Sequence, residues 1–190
     1  MKTLLLGMAA IALMGMAPPS APTGAAVISV GGSSAASCYN AAAARDASQQ
    51  AMAECDSAIG QQVIPYDDLV ATFVNRGVLK LVRTDYRAAE ADFNQAMALH
   101  SKQPEAWLNK GIARYQQGDV NGAVEMFNRS LELNTRYQAL AYFGRALANE
   151  DRGDIRGAYA DLRRAAQLDP RWNAPQEQLK RFKVVSKPSA

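Results

Sequence analysis

Two asparagines carry the clearest chemical signal in this chain. Asn75 and Asn109 stand 34 residues apart, each inside a stretch whose apolar spacing is helical. Asparagine is a poor helix-interior residue because its amide competes for backbone hydrogen bonds. A projecting amide can donate and accept at once, which suits it to both backbone groups of an extended peptide. A hydrogen bond between neighbouring structural units would use the same pair, and the sequence leaves both readings open. His100 is the only histidine, so any Ser-His-Asp or Cys-His relay would have to run through it. At the end of a predicted helix its plain role is a polar or positive group. There is no glycine-rich phosphate loop, and no pair of carboxylates recurs on one helix face. One histidine and two thiols do not fill a tetrahedral zinc shell. The chain therefore reads as a protein without catalytic residues, metal or cofactor. Asn128-Arg129-Ser130 matches a glycosylation sequon but falls inside a predicted helix, and we take it as coincidence.

Cys38 and Cys55 are the only cysteines. On one straight helix they would lie about 25 Å apart, far beyond the roughly 4.4–6.8 Å that a disulfide tolerates between Cα atoms. The midpoint falls at Asp46-Ala47, inside Arg45-Asp46-Ala47-Ser48, and both Asp46 and Ser48 are good helix starters. A hairpin folded there sets Cys38 opposite Cys55. That arrangement favours a disulfide, with two free thiols as the alternative.

The elements that would position these groups repeat. Asp85, Asp119 and Asp154 recur at spacings of 34 and 35 residues, as do Ala89, Ala123 and Ala158, then Phe93, Phe127 and Leu162. Such a period signals stacked supersecondary units. Each unit holds two helical patterns, the first covering about Leu69–Val82 and Tyr86–Leu99. The dividers are Arg83-Thr84-Asp85, Gly118-Asp119 and Gly153-Asp154. Glycine closes a helix in the left-handed conformation, and aspartate caps the next one. Gly77, Gly111 and Gly144 sit mid-way along the first helix of their units, where glycine costs about 1 kcal/mol against alanine. Three such sites predict close helix–helix approach, with Phe73, Trp107, Phe93 and Phe127 filling the space.

These residues resemble the tetratricopeptide repeat family, whose signature is an early Trp, a Leu-Gly pair, then Ala, Phe and Pro. The middle unit carries Trp107, Lys110-Gly111, Ala123 and Phe127. The third carries Phe143-Gly144, Ala158, Leu162 and Pro170, and the first Phe73, Arg76-Gly77, Ala89 and Phe93. Lys110 and Arg76 replace the usual aliphatic, and Ser101 and Thr135 the usual closing proline. The third unit has 14 positions from Gly144 to Ala158, against 12 in the others, a difference assigned to Glu150-Asp151-Arg152. The resemblance covers about Leu69–Trp172. It implies an all-α right-handed superhelix, an α-solenoid of antiparallel helix pairs. Three units would span about 70–103, 104–136 and 137–172, within residues 67–172. A degenerate hairpin over 38–66 would precede them, and a capping helix and tail over 173–190 would follow. Asn173 would cap that last helix, running to Val184, with Gln176 reaching back.

In the family, one stripe of each first helix lines a concave groove that receives an extended peptide or a partner helix. By the glycine alignment that stripe holds Asn75 and Val78, then Asn109, Ile112 and Gln116, then Tyr142, Arg145 and Asn149. Some members grip a terminal carboxylate with asparagines and cations; Arg145 is the only cation on this stripe, so that clamp is incomplete. The implied function is a scaffold or adaptor holding an unidentified protein or peptide. The alternative is a self-assembling structural protein of the cell envelope, a homodimer being its simplest form.

Residues 1–26 read as an export signal. Lys2 is followed by an apolar run from Leu4 to Ala17, shorter than a bilayer span, and Gly24 and Ala26 supply small residues for cleavage. A flexible Gly/Ser/Ala leader over 27–37 follows. This predicts an exported, periplasmic protein of bacterial type, with no stable membrane insertion after cleavage. The net charge of +3 drops by one with Lys2, too little for nucleic-acid binding through bulk charge. Basic residues thicken toward the C-terminal end, and we read them as a solvated face.

Overall fold

The computed structural model describes residues 34–61 and 63–182. The expected signal, the leader up to residue 33 and the tail from residue 183 lie outside the described residues. Within them the chain is helical throughout: α1 (Ser34–Ala44), α2 (Gln49–Ile59), α3 (Tyr66–Val82), α4 (Tyr86–Leu99), α5 (Pro104–Gln116), α6 (Val120–Glu132), α7 (Gln138–Asp151), α8 (Ile155–Leu168) and α9 (Asn173–Leu179). Helices α3–α4, α5–α6 and α7–α8 form three hairpins, each packed on the next in chain order. The first helices also touch one another, α3 with α5 and α5 with α7, while α4, α6 and α8 are splayed apart. The first helices therefore line the inner side of a curved stack.

The turn chemistry explains the hairpins. Asp85, Asp119 and Asp154 each accept a hydrogen bond from the backbone N–H three residues on, at 3.2, 3.0 and 3.0 Å. The residue before each cap is left-handed: Thr84 (φ 60°), Gly118 (82°) and Gly153 (85°). Each Asp N–H returns to a carbonyl five residues back, at 2.9, 2.9 and 2.8 Å, so the departing helix is closed while the next is opened. Thr84 is the strained member, because a β-branched residue pays for the left-handed region. Thr84→Gly is expected to raise stability by about 0.5–1 kcal/mol, read as a higher urea midpoint with unchanged slope. A lower midpoint would mean that the Thr84 hydroxyl, bonded to the Arg83 carbonyl at 2.6 Å, outweighs the strain.

The N-terminal hairpin forms as its spacing predicts. Arg45 turns left-handed, the Asp46 carboxylate accepts from Ser48 N–H at 3.0 Å, and the Ser48 hydroxyl from Ala51 N–H at 3.2 Å. Cys38 and Cys55 are joined in a disulfide with Cα atoms 4.7 Å apart, and both are fully buried against Leu79 and Ala42. Closing a loop of this size restricts the unfolded hairpin by about 3 kcal/mol. That supports a pair whose core is otherwise mostly alanine.

Four expectations need correction. Helix α1 begins at Ser34, inside the predicted leader. Helix α3 begins at Tyr66, where Pro65 supplies the extended residue before the first turn. Helix α9 is a seven-residue helix ending at Leu179; Asn173 does not cap it, and Gln176 Nε2 donates instead to the Pro170 carbonyl at 3.2 Å. The extra length of the third unit does not lie at Glu150-Asp151-Arg152. The turns between paired helices have three residues in every unit, and α4 to α5 and α6 to α7 have the same start-to-start length. The added residue lies in the first turn of α7, whose first buried position, Ala141, is its fourth residue where Ala106 is the third of α5.

Candidate functional site: the inner face of the first helices

Burial fixes the register of the three first helices. One alternation of buried and half-buried positions runs over 72–79 in α3, 106–113 in α5 and 141–148 in α7. The structural equivalent of Gly77 and Gly111 is therefore Ala146, fully buried, and Gly144 is the equivalent of Asn75 and Asn109. All three glycines do mark close approach. A Cβ on Gly77 would stand 2.4 Å from Phe93, and one on Gly111 2.8 Å from Phe127, each in the partner helix of the same unit. A Cβ on Gly144 would meet the same Phe127 at 2.6 Å, in the preceding unit. Aligning glycine on glycine shifts the third unit by two residues, about 200° around a helix.

The shift moves Tyr142, Arg145 and Asn149 off the groove. They occupy the opposite face of α7, toward the second helices. The Arg145 guanidinium donates two parallel bonds to Asp161 of α8, at 2.8 and 2.7 Å, and a third to Asn128 of α6 at 2.7 Å. Asn149 is buried and donates to Asp161 at 3.1 Å, and Arg145 stacks over the Tyr142 ring at 5.2 Å. The Asp161 bonds hold Arg145 more firmly protonated than usual, against the opposing effect of burial. The first unit repeats the device. Arg76 makes the same fork with Asp92 at 2.9 and 2.7 Å, reaches Asp56 of α2 at 2.6 Å, and stacks on Phe73 at 5.6 Å. Lys80 stands at the place of Asn149 and meets Asp92 at 2.7 Å. In the middle unit Lys110 reaches Asn94 of the preceding second helix at 2.7 Å, and burial lowers its pKa. These cations, which replace the usual aliphatic residue, bind each unit to the one before it. The shared separation of 16 residues from Arg76 to Asp92 and from Arg145 to Asp161 was a signal the sequence already carried.

With the register corrected, the inner stripe runs through Ala71, Asn75, Val78 and Val82 in α3. It continues through Glu105, Asn109, Ile112 and Gln116 in α5 and Leu140, Gly144, Leu147 and Asp151 in α7. At about 100° per residue these positions form one band opposite the cation face. The structure thus brings Asn75, Val78, Asn109, Ile112 and Gln116 onto a common face. Asn75 and Asn109 are half-buried, and their side-chain amides make no hydrogen bond to any other residue. The bond between neighbouring units that the sequence allowed does not form. Val78 packs partly on the disulfide hairpin and Ile112 on the Phe127 cluster, and Gln116 is exposed. Sequence reasoning missed Leu140, Leu147 and Asp151. Leu140 and Leu147 extend the apolar part of the band into the third unit. Tyr115 of α5 donates to Asp151 at 2.8 Å, and burial foremost, then this carboxylate, pushes the phenol pKa up. Glu105 accepts from Gln103 at 2.8 Å and pairs with Arg136 at 3.5 Å. The band contains no lysine, arginine or histidine.

Comparison with known proteins agrees with this architecture. The tetratricopeptide repeat family's sequence profile matches residues 74–136 and again 113–171, together more than half of the chain, and the chain belongs to that family. Human tetratricopeptide repeat protein 13 is 36% identical over 58 residues, which are 30% of this chain and 7% of that protein; the chain thus matches only a small part of that relative's length. Among solved structures, the first TPR of Spaghetti (RPAP3) bound to HSP90 peptide SRMEEVD superposes with a TM-score of 0.56 at 20% identity, covering 59% of this chain and 88% of that one. That likeness is one of fold.

Proposed function

We propose that this protein is a non-catalytic binding scaffold of the periplasm that holds an extended, non-acidic peptide segment of a partner along the inner band. The observation that carries the reading is the pair of free amides at Asn75 and Asn109, one structural period apart on the face left open by the stack. Both amides reach water rather than lying buried and unpaired, so a ligand can take their bonds without breaking one inside the protein, and an extended backbone offers a donor and an acceptor to each. The apolar positions beside them, Val78 and Ile112, and Leu147 in the next unit suit side chains of such a segment. The peptide held by the RPAP3 neighbour carries three acidic residues in seven, SRMEEVD. The band itself holds no cation and presents Glu105 and Asp151, and the one arginine beside it, Arg136, is paired with Glu105, so an acidic segment would be desolvated without a free counter-charge. A periplasmic setting is supported by the charged, apolar and small-residue order of residues 1–26 and by the disulfide between the only cysteines.

The test is capture of partners from an envelope extract on immobilised protein, identified by mass spectrometry, with synthetic peptides then titrated by fluorescence anisotropy. Asn75→Ala combined with Asn109→Ala is expected to weaken binding of the captured segment about tenfold, roughly 1.4 kcal/mol, with an unchanged melting temperature. Unchanged affinity in the double variant would remove the inner band from the function. Tight binding of SRMEEVD would refute the exclusion of acidic segments.

A further inference from the structure

The outer faces of the second helices can be compared position by position, because the stack repeats them. In α4 the face holds Arg87, Ala91, Asn94, Gln95 and Ala98. In α6 it holds Asn121, Glu125, Asn128, Arg129 and Glu132, where Arg129 and Glu132 pair at 2.9 Å. The same positions in α8 are Arg156, Ala160, Arg163, Arg164 and Gln167. Only the third face gathers several arginines with no carboxylate among them; the first has Arg87 alone. Arg156, Arg163 and Arg164 are exposed, as is Arg171 in the turn that follows, and none of the four has an acidic partner. The nearby carboxylates are engaged elsewhere: Asp154 caps α8, Asp161 is buried under Arg145, Glu150 holds Arg181 at 2.6 Å, and Asp169 accepts from the Arg171 N–H. Arg163 is the most telling of them. Its equivalents Asn94 and Asn128 accept from the cation of the following unit. In the last unit a cation replaces that acceptor, stacked over the Tyr159 ring at 5.9 Å.

We propose that this arginine face is a second docking surface, separate from the inner band, and that it takes a short acidic segment of a partner protein. Arg156 to Arg164 span about 12 Å along the helix, enough for three or four carboxylates of a peptide. Arginine rather than lysine fits the assignment, because the planar fork grips carboxylates in pairs. Stacking of Arg163 on Tyr159 fixes one fork in advance. Between its arginines the stripe holds only Ala160 and Gln167, with Ile155 and Leu168 exposed at the two ends of the helix; the paired forks favour a carboxylate-bearing protein segment, and recruitment by a membrane surface is an outcome of the test.

The test titrates a fluorescein-labelled octaglutamate into the full chain by anisotropy at low salt. Binding is expected, and it should fall at least tenfold in the triple variant Arg156→Gln, Arg163→Gln, Arg164→Gln. A control removes the same charge elsewhere, through Arg87→Gln, Arg129→Gln and Lys180→Gln, and should retain binding, as should the Asn75/Asn109 double variant. Circular dichroism confirms that each variant is folded. No binding to the wild-type chain, or equal losses in triple variant and control, would overturn the proposal. So would phosphatidylglycerol vesicles recruiting the protein through these arginines while octaglutamate does not.

Discussion

Phe127→Ala is expected to lower the unfolding free energy by about 3–5 kcal/mol. The ring is 1% exposed and is held between two first helices, with Gly111 on one side and Gly144 on the other. It also anchors the central cluster of Leu108, Ala123, Val124, Ala141 and Ala148. Ala123, Ala141, Ala148, Gly111 and Gly144 beside it have no side chain that can swing in to fill the void, so a cavity cost adds to the lost transfer energy. Because the ring joins the second unit to the third, its loss weakens a nearest-neighbour interface as well as one hairpin, and stack stability depends on such interfaces. Urea unfolding followed by circular dichroism reads the effect as a lower midpoint, or as a broadened transition if the third unit melts separately. A loss under about 1 kcal/mol would show that the site collapses and that the glycine approaches are not what holds the units together. Gly111→Ala probes the same contact from the other side and should cost about 1–3 kcal/mol by overpacking.

The groove's second and third turns show what the sequence could and could not reveal. The hairpin turns were legible because each needs a particular residue: a left-handed position, then an aspartate whose carboxylate reaches the N–H three residues on. The disulfide was legible because one turn signal lies midway between the only two cysteines. The third unit's register was not, because glycine serves two purposes that look alike in sequence. At Gly77 and Gly111 it admits the phenylalanine of its own unit, and at Gly144 that of the unit before. Only the burial pattern separates the two cases. The start of α3 and the end of α9 were missed for a simpler reason. Helix ends are set by local packing, and Tyr66 gains a hydroxyl bond to the Leu99 carbonyl that no short-range pattern announces.

Arg145→Ala decides between the two registers, and its expected effect is on stability. If Arg145 were a groove residue, its loss would weaken partner binding and leave folding nearly unchanged. In the structure it neutralises Asp161, whose side chain is 9% exposed, through a two-bond fork, and ties α7 to Asn128 of the preceding unit. Removing it strands a buried carboxylate with only Asn149 as donor, a change that costs about 3 kcal/mol. Asp161→Ala should cost less, because the guanidinium, 23% exposed, keeps Asn128 and gains water. The pair of variants therefore carries an ordering: the cation's loss exceeds the carboxylate's. Combining them should recover part of the Arg145→Ala deficit, since the double variant buries no stranded charge. Urea midpoints for the three variants, with anisotropy titrations of the captured segment on the folded fraction, give both readouts at once. Near-normal stability with weakened binding in Arg145→Ala would restore Arg145 to the groove and return the third unit to the glycine alignment.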